Sequence, residues 1–274
     1  MNAVRQDSHL AVQLARRWVV DYFNAQNETA AREFIAPDYA LEIGDHVFNG
    51  RDAQWLPAVA QQFAQFPGMG MTVHQVVAGS GDKGNRVALW FSEHGASGGP
   101  GRPTAVWSGV GIYRAEGDRL VGCCAQEDYY TRSRQLRSGV TDPVDRPAPA
   151  PWDTLPLGIN QAAESAVRLW LQHSWPARET AVHVDDEHLT GQAMSFEVER
   201  VEVIDVFSSG PDVAFQANQW GRYRGGLHGV PVRDRLERLK VNGLLRLEAQ
   251  AVICGRVIRD RIGLKSRLLK DAAI

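Results

Sequence analysis

Leu120–Leu136, LVGCCAQEDYYTRSRQL, reads as a strand that runs into an acidic pair, Glu127-Asp128, and then a basic, amide-rich segment. A similar stretch returns as Val252–Leu268, VICGRVIRDRIGLKSRL, with Asp128 falling on Asp260 and Leu136 on Leu268, both 132 positions on. The same register sets Gly111-Ile112-Tyr113-Arg114 against Gly243-Leu244-Leu245-Arg246. A constant offset over such a span is the mark of one fold written twice. Each copy then ends its last strand in an acid.

The segments before Leu120 fill in the first copy. Leu10, Leu14, Trp18 and Tyr22 recur every four residues, which predicts a helix over Ser8–Asn24,. A short helix is expected over Thr29–Phe34 and ends at Ala36-Pro37, because the residue before proline disfavours helix. Tyr39–Ile43 reads as a short strand, and a third helix is expected over Ala53–Phe66, stopping at Pro67-Gly68. The period then changes to two, and strands are expected at Met71–Ala78, Arg86–His94, Ala105–Arg114 and Leu120–Asp128,. Helices followed by a run of antiparallel strands predict an α+β domain with a curved sheet covered on one face.

Ser138–Gly158 carries five prolines and is expected to be an extended, semi-rigid linker with Trp152 docked on a domain,. The second copy opens with a helix at Gln161–His173. Its Arg168 and Trp170 match Arg16 and Trp18 at an offset of 152, whereas Asp212–Gly221 matches Arg86–Gly95 at only 126. The second copy is therefore about 26 residues shorter in between, and the third helix is the expected loss. The boundaries that follow are 1–137 for a complete domain, 138–159 for the linker and 160–274 for a shortened one.

Bulk composition agrees with this division. A chain of 274 residues accommodates two domains, and 44% hydrophobic with 23% charged residues is ordinary for a soluble protein,. A net charge of −2 gives no reason to expect nucleic-acid or membrane binding,. Residues 222–270, however, hold thirteen Lys/Arg against four acids, which suggests either a solvated sheet face or a dock for an acidic partner or anionic ligand,. Three cysteines form no metal or disulfide pattern,. No signal peptide or long apolar run is present, so a cytoplasmic location is expected. No metal, nucleotide or flavin motif appears, and no cofactor is expected.

The order helix, helix, short strand, Asn49-Gly50-Arg51-Asp52-Ala53 helix and four antiparallel strands resembles the nuclear-transport-factor-2-like fold. Within it, the closing Phe66-Pro67-Gly68, the strand Arg86-Val87-Ala88-Leu89-Trp90 and the hairpin Gly111–Val121 resemble the SnoaL-like polyketide cyclase and ketosteroid isomerase branch. Arg259-Asp260-Arg261-Ile262-Gly263-Leu264 resembles the same ending in the second copy. The resemblance implies two tandem cones, each a curved sheet around an apolar pocket, packed through their sheets as an intrachain pseudo-dimer. Whether chains associate further is left open. It also implies cofactor-independent acid–base chemistry (cyclisation, isomerisation or dehydration beside a carbonyl) on a hydrophobic small molecule. The alternative class is a non-catalytic binding or scaffold protein that uses the basic face of the second domain.

Asp128 corresponds to the last-strand acid and is the expected proton shuttle. Alternation puts Cys124, Gln126 and Asp128 on one strand face,. If that face lines the cone, Trp90, Trp107 and Trp18 form its walls, and Cys124 is a small lining residue rather than a nucleophile. His94, Glu42 and Tyr22 are the expected polar helpers, while the isomerase base position itself falls on Ile43. The competing role for Asp128 is an ion pair with Arg132 or Arg134. In the second domain Arg256 and Asp260, four residues apart, are expected to pair.

Overall fold

The computed structural model describes residues 2–81, 83–173, 175, 181–189 and 193–270. The amphipathic N-terminal segment forms α1, Asn2–Arg17, and continues as a π-helical segment, Trp18–Asn24. Asn24 ends it by clamping the chain at Met71, donating to its carbonyl at 3.1 Å and accepting from its N–H at 2.7 Å. Asn27 caps α2, Glu28–Phe34, by accepting from the N–H groups of Thr29 and Ala30,. A π-helical turn at Arg51–Trp55 leads into α3, Leu56–Gln65, with Pro57 in its first turn, where a missing N–H costs no helical hydrogen bond,.

Six strands make the first sheet: β1 Ile35–Ile43, β2 His46–Asn49, β3 Gly70–Gly81, β4 Gly84–Ala96, β5 Thr104–Glu116 and β6 Arg119–Glu127. Their order is β2-β1-β6-β5-β4-β3, antiparallel except for β1 beside β6. The chain then turns into α4, Tyr129–Ser138. Asp128 is its N-cap, accepting from the Thr131 N–H at 3.1 Å, and Gly139 ends it at a φ of 68° that suits glycine,. The linker lies along the first sheet. The Ala148 N–H donates to the Val73 carbonyl, a ring nitrogen of His74 meets the Arg146 carbonyl at 2.9 Å, and Trp152 packs on the first core.

The second sheet holds β7 Val182–Val184, β8 Ser195–Ser209, β9 Asp212–Gly225, β10 Glu237–Glu248 and β11 Ala251–Arg259, in the order β7-β11-β10-β9-β8. Its core is covered by α5, Gln161–His173, and the described chain ends in α6, Arg261–Lys270. Between α5 and β8 the described residues hold a 3-10 turn at Asp185–Leu189 and no counterpart of α3. No helix among the described residues is long and apolar enough to cross a membrane.

The faces of the two sheets turned away from their helices pack on each other. Val77, Ala88, Val110 and Ile112 meet Phe207, Ala214, Leu244 and Ile258. Each large apolar side chain removed from water contributes on the order of 1.5–3 kcal/mol, so the sheets share a third core. The backbones come close there, since a Cβ on Gly79 would lie 2.6 Å from the Ser208 carbonyl oxygen. Asn242 adds specificity by donating to the carbonyls of Val110 and Cys124 at 3.1 and 3.0 Å. The first sheet is therefore buried on both faces. A strand buried on both sides carries apolar residues at odd and even positions alike, which bears directly on the site.

Candidate active site

Odd-numbered positions face the helices. Tyr39, Leu41 and Ile43 on β1, Phe91 and Glu93 on β4, Tyr113 on β5, and Cys123, Ala125 and Glu127 on β6 line a cavity of about 300 Å³. Trp18, Phe23, Trp55, Val59 and Gln62 close it from the helices, and Tyr129 and Arg132 from α4. The strand register makes this possible: Leu41 sits opposite Cys123, Ile43 opposite Ala125, and Glu127 opposite Gly109. Gly109 leaves the room. A Cβ there would meet the Phe91 ring at 2.4 Å and Cγ of Glu127 at 2.9 Å.

Glu93 and Glu127 form a hydrogen-bonded carboxyl pair in a lining whose other polar members include His46, Gln61, Gln62, Gln65 and Arg132. Glu93 is 2% exposed and accepts from the Gln62 amide at 2.7 Å. Burial and then the neighbouring charge of Glu127 push its carboxyl well above the usual glutamate range, against the pull of Arg132 and Gln62,. Burial also raises Glu127, but hydrogen bonds from the Trp107 indole at 3.0 Å and from Tyr129 offset part of that. The better-solvated member is thus Glu127. Two close carboxyls in an apolar site favour one shared proton, and the stronger upward push falls on Glu93,. The Arg132 guanidinium stacks over Tyr129 at 4.2 Å and Trp107 at 5.1 Å and supplies the nearby positive charge.

Two phenols and a thiol stand across the cavity. Tyr39 is fully buried, and its hydroxyl has no nitrogen or oxygen partner among the described residues and faces the Cys123 thiol. Burial pushes Tyr39, Tyr113 and Cys123 all well above their ordinary values. They remain neutral, so the phenols are donors and the thiol is not a nucleophile. Among the described residues no three His, Cys, Asp or Glu side chains are grouped to hold a metal.

The expected proton shuttle is not in this cavity. Asp128 is 1% exposed and paired with Arg261 of α6 at 2.5 Å, while its carboxylate also accepts from the Asp186 N–H at 2.9 Å. Burial would raise its pKa, but Arg261 and the two N–H donors outweigh burial and hold the carboxyl below its usual value. Neither Arg132 nor Arg134 takes the expected pairing role, since Arg132 stacks on rings and Arg134 pairs with Asp142. The remaining expectations divide by face. Trp18 lines the cavity, and Trp107 lies behind it, holding Glu127. Tyr22 is core, 2% exposed between Trp55 and Phe63, and burial raises its phenol. Cys124 and Glu42 face the second sheet. Burial pushes the Cys124 thiol up to about 12, and Glu42 is bound by Lys240 at 2.6 Å. Trp90 stacks on His74 and faces Arg256 on that same side. His94 meets the Thr72 hydroxyl at 3.2 Å, and burial lowers its pKa. Ile43, at the isomerase base position, does line the cavity but brings no charge.

In the second sheet, Arg256 pairs with Asp186 and donates to the Ser108 hydroxyl at 2.9 Å. Asp260 instead accepts from the Gly263 N–H at 2.8 Å, with Arg267 4.0 Å away. The two strand ends carry acids in the same place, yet different cations reach them. The basic 222–270 segment is largely neutralised from within. At least ten of its thirteen cations, among them Arg222, Arg238, Arg246 and Arg259, sit in ion pairs among the described residues.

The carboxyl pair carries a stability signature. A carboxyl whose folded pKa is raised stabilises the fold below its unfolded pKa, and that contribution is lost as pH rises through the folded value. Glu93→Gln, neutral at every pH, is expected to match wild type near pH 4. It should then gain on it by up to about 1.4 kcal/mol per pH unit above the ordinary glutamate pKa. Urea melts from pH 4 to 8 check this, and a difference independent of pH refutes the shared-proton assignment.

Residues 15–123 match the family model of the SnoaL-like domain. Solved structures similar to this chain include IdmH, a proposed polyketide cyclase from Streptomyces antibioticus, at 24% identity over 46% of this chain and 96% of that one, with a TM-score of 0.39. A proposed polyketide cyclase from Acidithiobacillus ferrooxidans is similar at 21% identity over 47% and 96%, with a TM-score of 0.42. An LEH-like epoxide hydrolase from M. tuberculosis is similar at 12% identity over 48% and 87%, with a TM-score of 0.39. No curated protein matches the chain.

Proposed function

We propose that the first unit is a cofactor-independent acid–base enzyme. It moves a proton beside a carbonyl of a hydrophobic, ring-bearing small molecule, in a reaction of the cyclisation, isomerisation or dehydration type. The observation that carries this reading is the Glu93–Glu127 pair, one proton on two carboxyls, set into a largely apolar cavity of about 300 Å³,. Glu127, ionised and held by Trp107, is the base that takes the proton next to the carbonyl,. The Tyr39 hydroxyl, buried, beside the Cys123 thiol and without a nitrogen or oxygen partner among the described residues, is the donor for the oxygen on which charge develops,. Glu127 then returns that proton to the product, while Glu93, whose carboxyl is pushed up most, keeps the proton that the pair shares. The SnoaL-like match over residues 15–123 covers the cavity lining from Trp18 to Cys123, ends before Ala125, Glu127, Tyr129 and Arg132, and agrees with such chemistry.

We read residues 1–137 as the complete cone, 138–159 as the linker and 160–274 as a shortened copy. The strand order β7-β11-β10-β9-β8 repeats β1-β6-β5-β4-β3 and supports that division. The internal pairing of the basic segment removes the charge surplus on which a scaffold role would rest.

The test is deuterium uptake. With α-tetralone, 2-tetralone and anthrone in D2O, the protein is expected to accelerate exchange at the carbon beside the carbonyl, read by proton NMR. Exchange no faster than in buffer for all three would count against the reading.

A further inference from the structure

Among the described residues, Arg132 is the one Lys or Arg that lines the cavity. It is half-buried, and the first turn of α4 delivers it there, its backbone N–H donating to the Asp128 carbonyl at 3.1 Å. Its guanidinium lies over the rings of Tyr129, Trp107 and Phe66, 4.2, 5.1 and 5.5 Å from their centroids. Cation–π contacts hold the charge in place without giving its five N–H donors an oxygen or nitrogen acceptor. Among the described residues the guanidinium makes no hydrogen bond and no ion pair. The other arginines withdrawn from water behave differently. Arg86, Arg256, Arg259 and Arg261 are buried, and each grips a carboxylate. Arg134, two residues along the same helix and also half-buried, pairs with Asp142.

The carboxyl pair is not the missing partner. Glu93 and Glu127 both feel the Arg132 charge, which pulls against their burial, but Glu93 accepts from Gln62 and Glu127 from Trp107 and Tyr129. The remaining titratable groups of the lining are the phenols, the Cys123 thiol and His46, which stacks on Phe48. None of them brings an anion to Arg132. The position of the cation is equally informative. Gln61 and Gln65 of α3 line the cavity and are exposed, and Phe66, whose ring the cation covers, follows Gln65 directly. Arg132 therefore stands where the cavity meets solvent. An anion held there keeps part of its hydration while the ring behind it is buried.

We propose that the substrate is an organic acid whose ring enters the cavity and whose carboxylate is held at the mouth by Arg132. This rests on the reading of the cavity as the acid–base site, and it narrows the substrate class to ring-bearing oxo acids. A guanidinium offers parallel N–H groups that match the two oxygens of a carboxylate, so one residue both attracts and orients the ligand. An amide or ketone oxygen leaves the charge of that fork unanswered. A phosphate monoester brings more negative charge than one guanidinium answers, and the lining holds no second Lys or Arg and has Glu127 nearby,. Arg132 is thus a recognition residue that sets the ring against Glu127.

The test compares three probes that share one ring system: 2-naphthoate, 2-naphthamide and 2-naphthyl phosphate, titrated into the full chain at pH 7 by calorimetry. The carboxylate is expected to bind at least tenfold tighter than the amide, and tighter than the phosphate. Arg132→Gln is expected to abolish the preference for carboxylate over amide and to leave 2-naphthamide within threefold of wild type. Arg132→Lys keeps the charge, loses the fork and is the milder change for the fold, and it is expected to cut the preference at least threefold. Equal binding of carboxylate and amide by the wild type overturns the proposal, as does tightest binding of the phosphate. So does a preference that survives undiminished in Arg132→Lys, or an equal loss of carboxylate and amide in folded Arg132→Gln, which would make Arg132 a support of the wall alone. If none of the three probes binds wild type, the cavity reading fails and takes the proposal with it. If the amide binds and the carboxylate gains nothing, the organic acid alone fails.

Discussion

Glu127→Gln is expected to reduce α-proton exchange by about 10²- to 10⁴-fold, the range that a positioned general base contributes, while ring ligands bind within threefold of wild type. The substitution is nearly isosteric. The glutamine carbonyl still accepts from the Trp107 indole, so the cavity wall keeps its shape, and what is lost is the ability to take a proton. The pH dependence follows from the same pair. Glu127 must be ionised to act, and its pKa is raised, so activity should rise through a limb lying above the ordinary glutamate value,. Glu93 must be protonated, and its carboxyl lies higher still, so activity should fall again on the alkaline side. Two carboxyls pushed apart by each other produce a bell without any histidine. Single-turnover exchange at fixed pD, with binding measured separately, tests this. A Glu127→Gln protein that exchanges within fivefold of wild type removes Glu127 as the base.

The helices and the strands of the first unit were readable because their periods differ. Leu10 and Leu14 set one face of α1, which Trp18 continues in the π-helical segment, and the change to alternation after Pro67-Gly68 marks the start of the four long strands β3–β6. The expected helix at Gln161–His173 is α5 to the residue. The side of the sheet that holds the cavity was not readable. Alternation separates Cys123, Ala125 and Glu127 from Cys124, Gln126 and Asp128, but it does not say which set looks at the helices. In a half-exposed sheet polarity would decide. Here the second sheet buries the other face as well, and both sets mix small, apolar and acidic residues. Choosing the even set led to Asp128 and Trp90, which face the second sheet. A local signal did exist. Asp128, three residues before Thr131 and eleven before Gly139, has the spacing of an N-cap and a C-terminal glycine around α4, which accounts for the acid without any catalysis,. Glu93 carried no such signal. A lone glutamate at the end of β4 becomes informative once the register brings Glu127 to it across Trp107 and Gly109.

Arg261→Met is expected to do the reverse of Glu127→Gln, leaving the chemistry and removing stability. Arg261 is 3% exposed and binds Asp128 at 2.5 Å, Glu187 at 2.8 Å and the Thr131 hydroxyl at 2.9 Å, joining α4 of the first unit to the Asp185–Leu189 turn of the second. Taking away one partner of a buried ion pair strands the other and typically costs 3–5 kcal/mol. That is a large share of the 5–15 kcal/mol that holds a typical domain. The group most exposed to the loss is Asp128, whose pKa is depressed through that contact. A depressed carboxyl contributes stability above its unfolded pKa and loses it as pH falls through the folded one. The destabilisation should therefore be full at pH 7 and shrink below about pH 4, the ordinary aspartate value. Asp128→Asn tests the same link from the other side. It keeps the cap on α4 and, combined with Arg261→Met, should cost less than the two changes added, because the double variant strands no aspartate. Urea melts of the three variants at pH 7 and pH 3.5 measure this. Arg261 does not line the inner cavity, so folded Arg261→Met should exchange α-protons at a rate per molecule within a few-fold of wild type. If Asp128→Asn instead abolishes exchange while its melt is unchanged, Asp128 is the base after all and the buried pair with Arg261 opens during turnover.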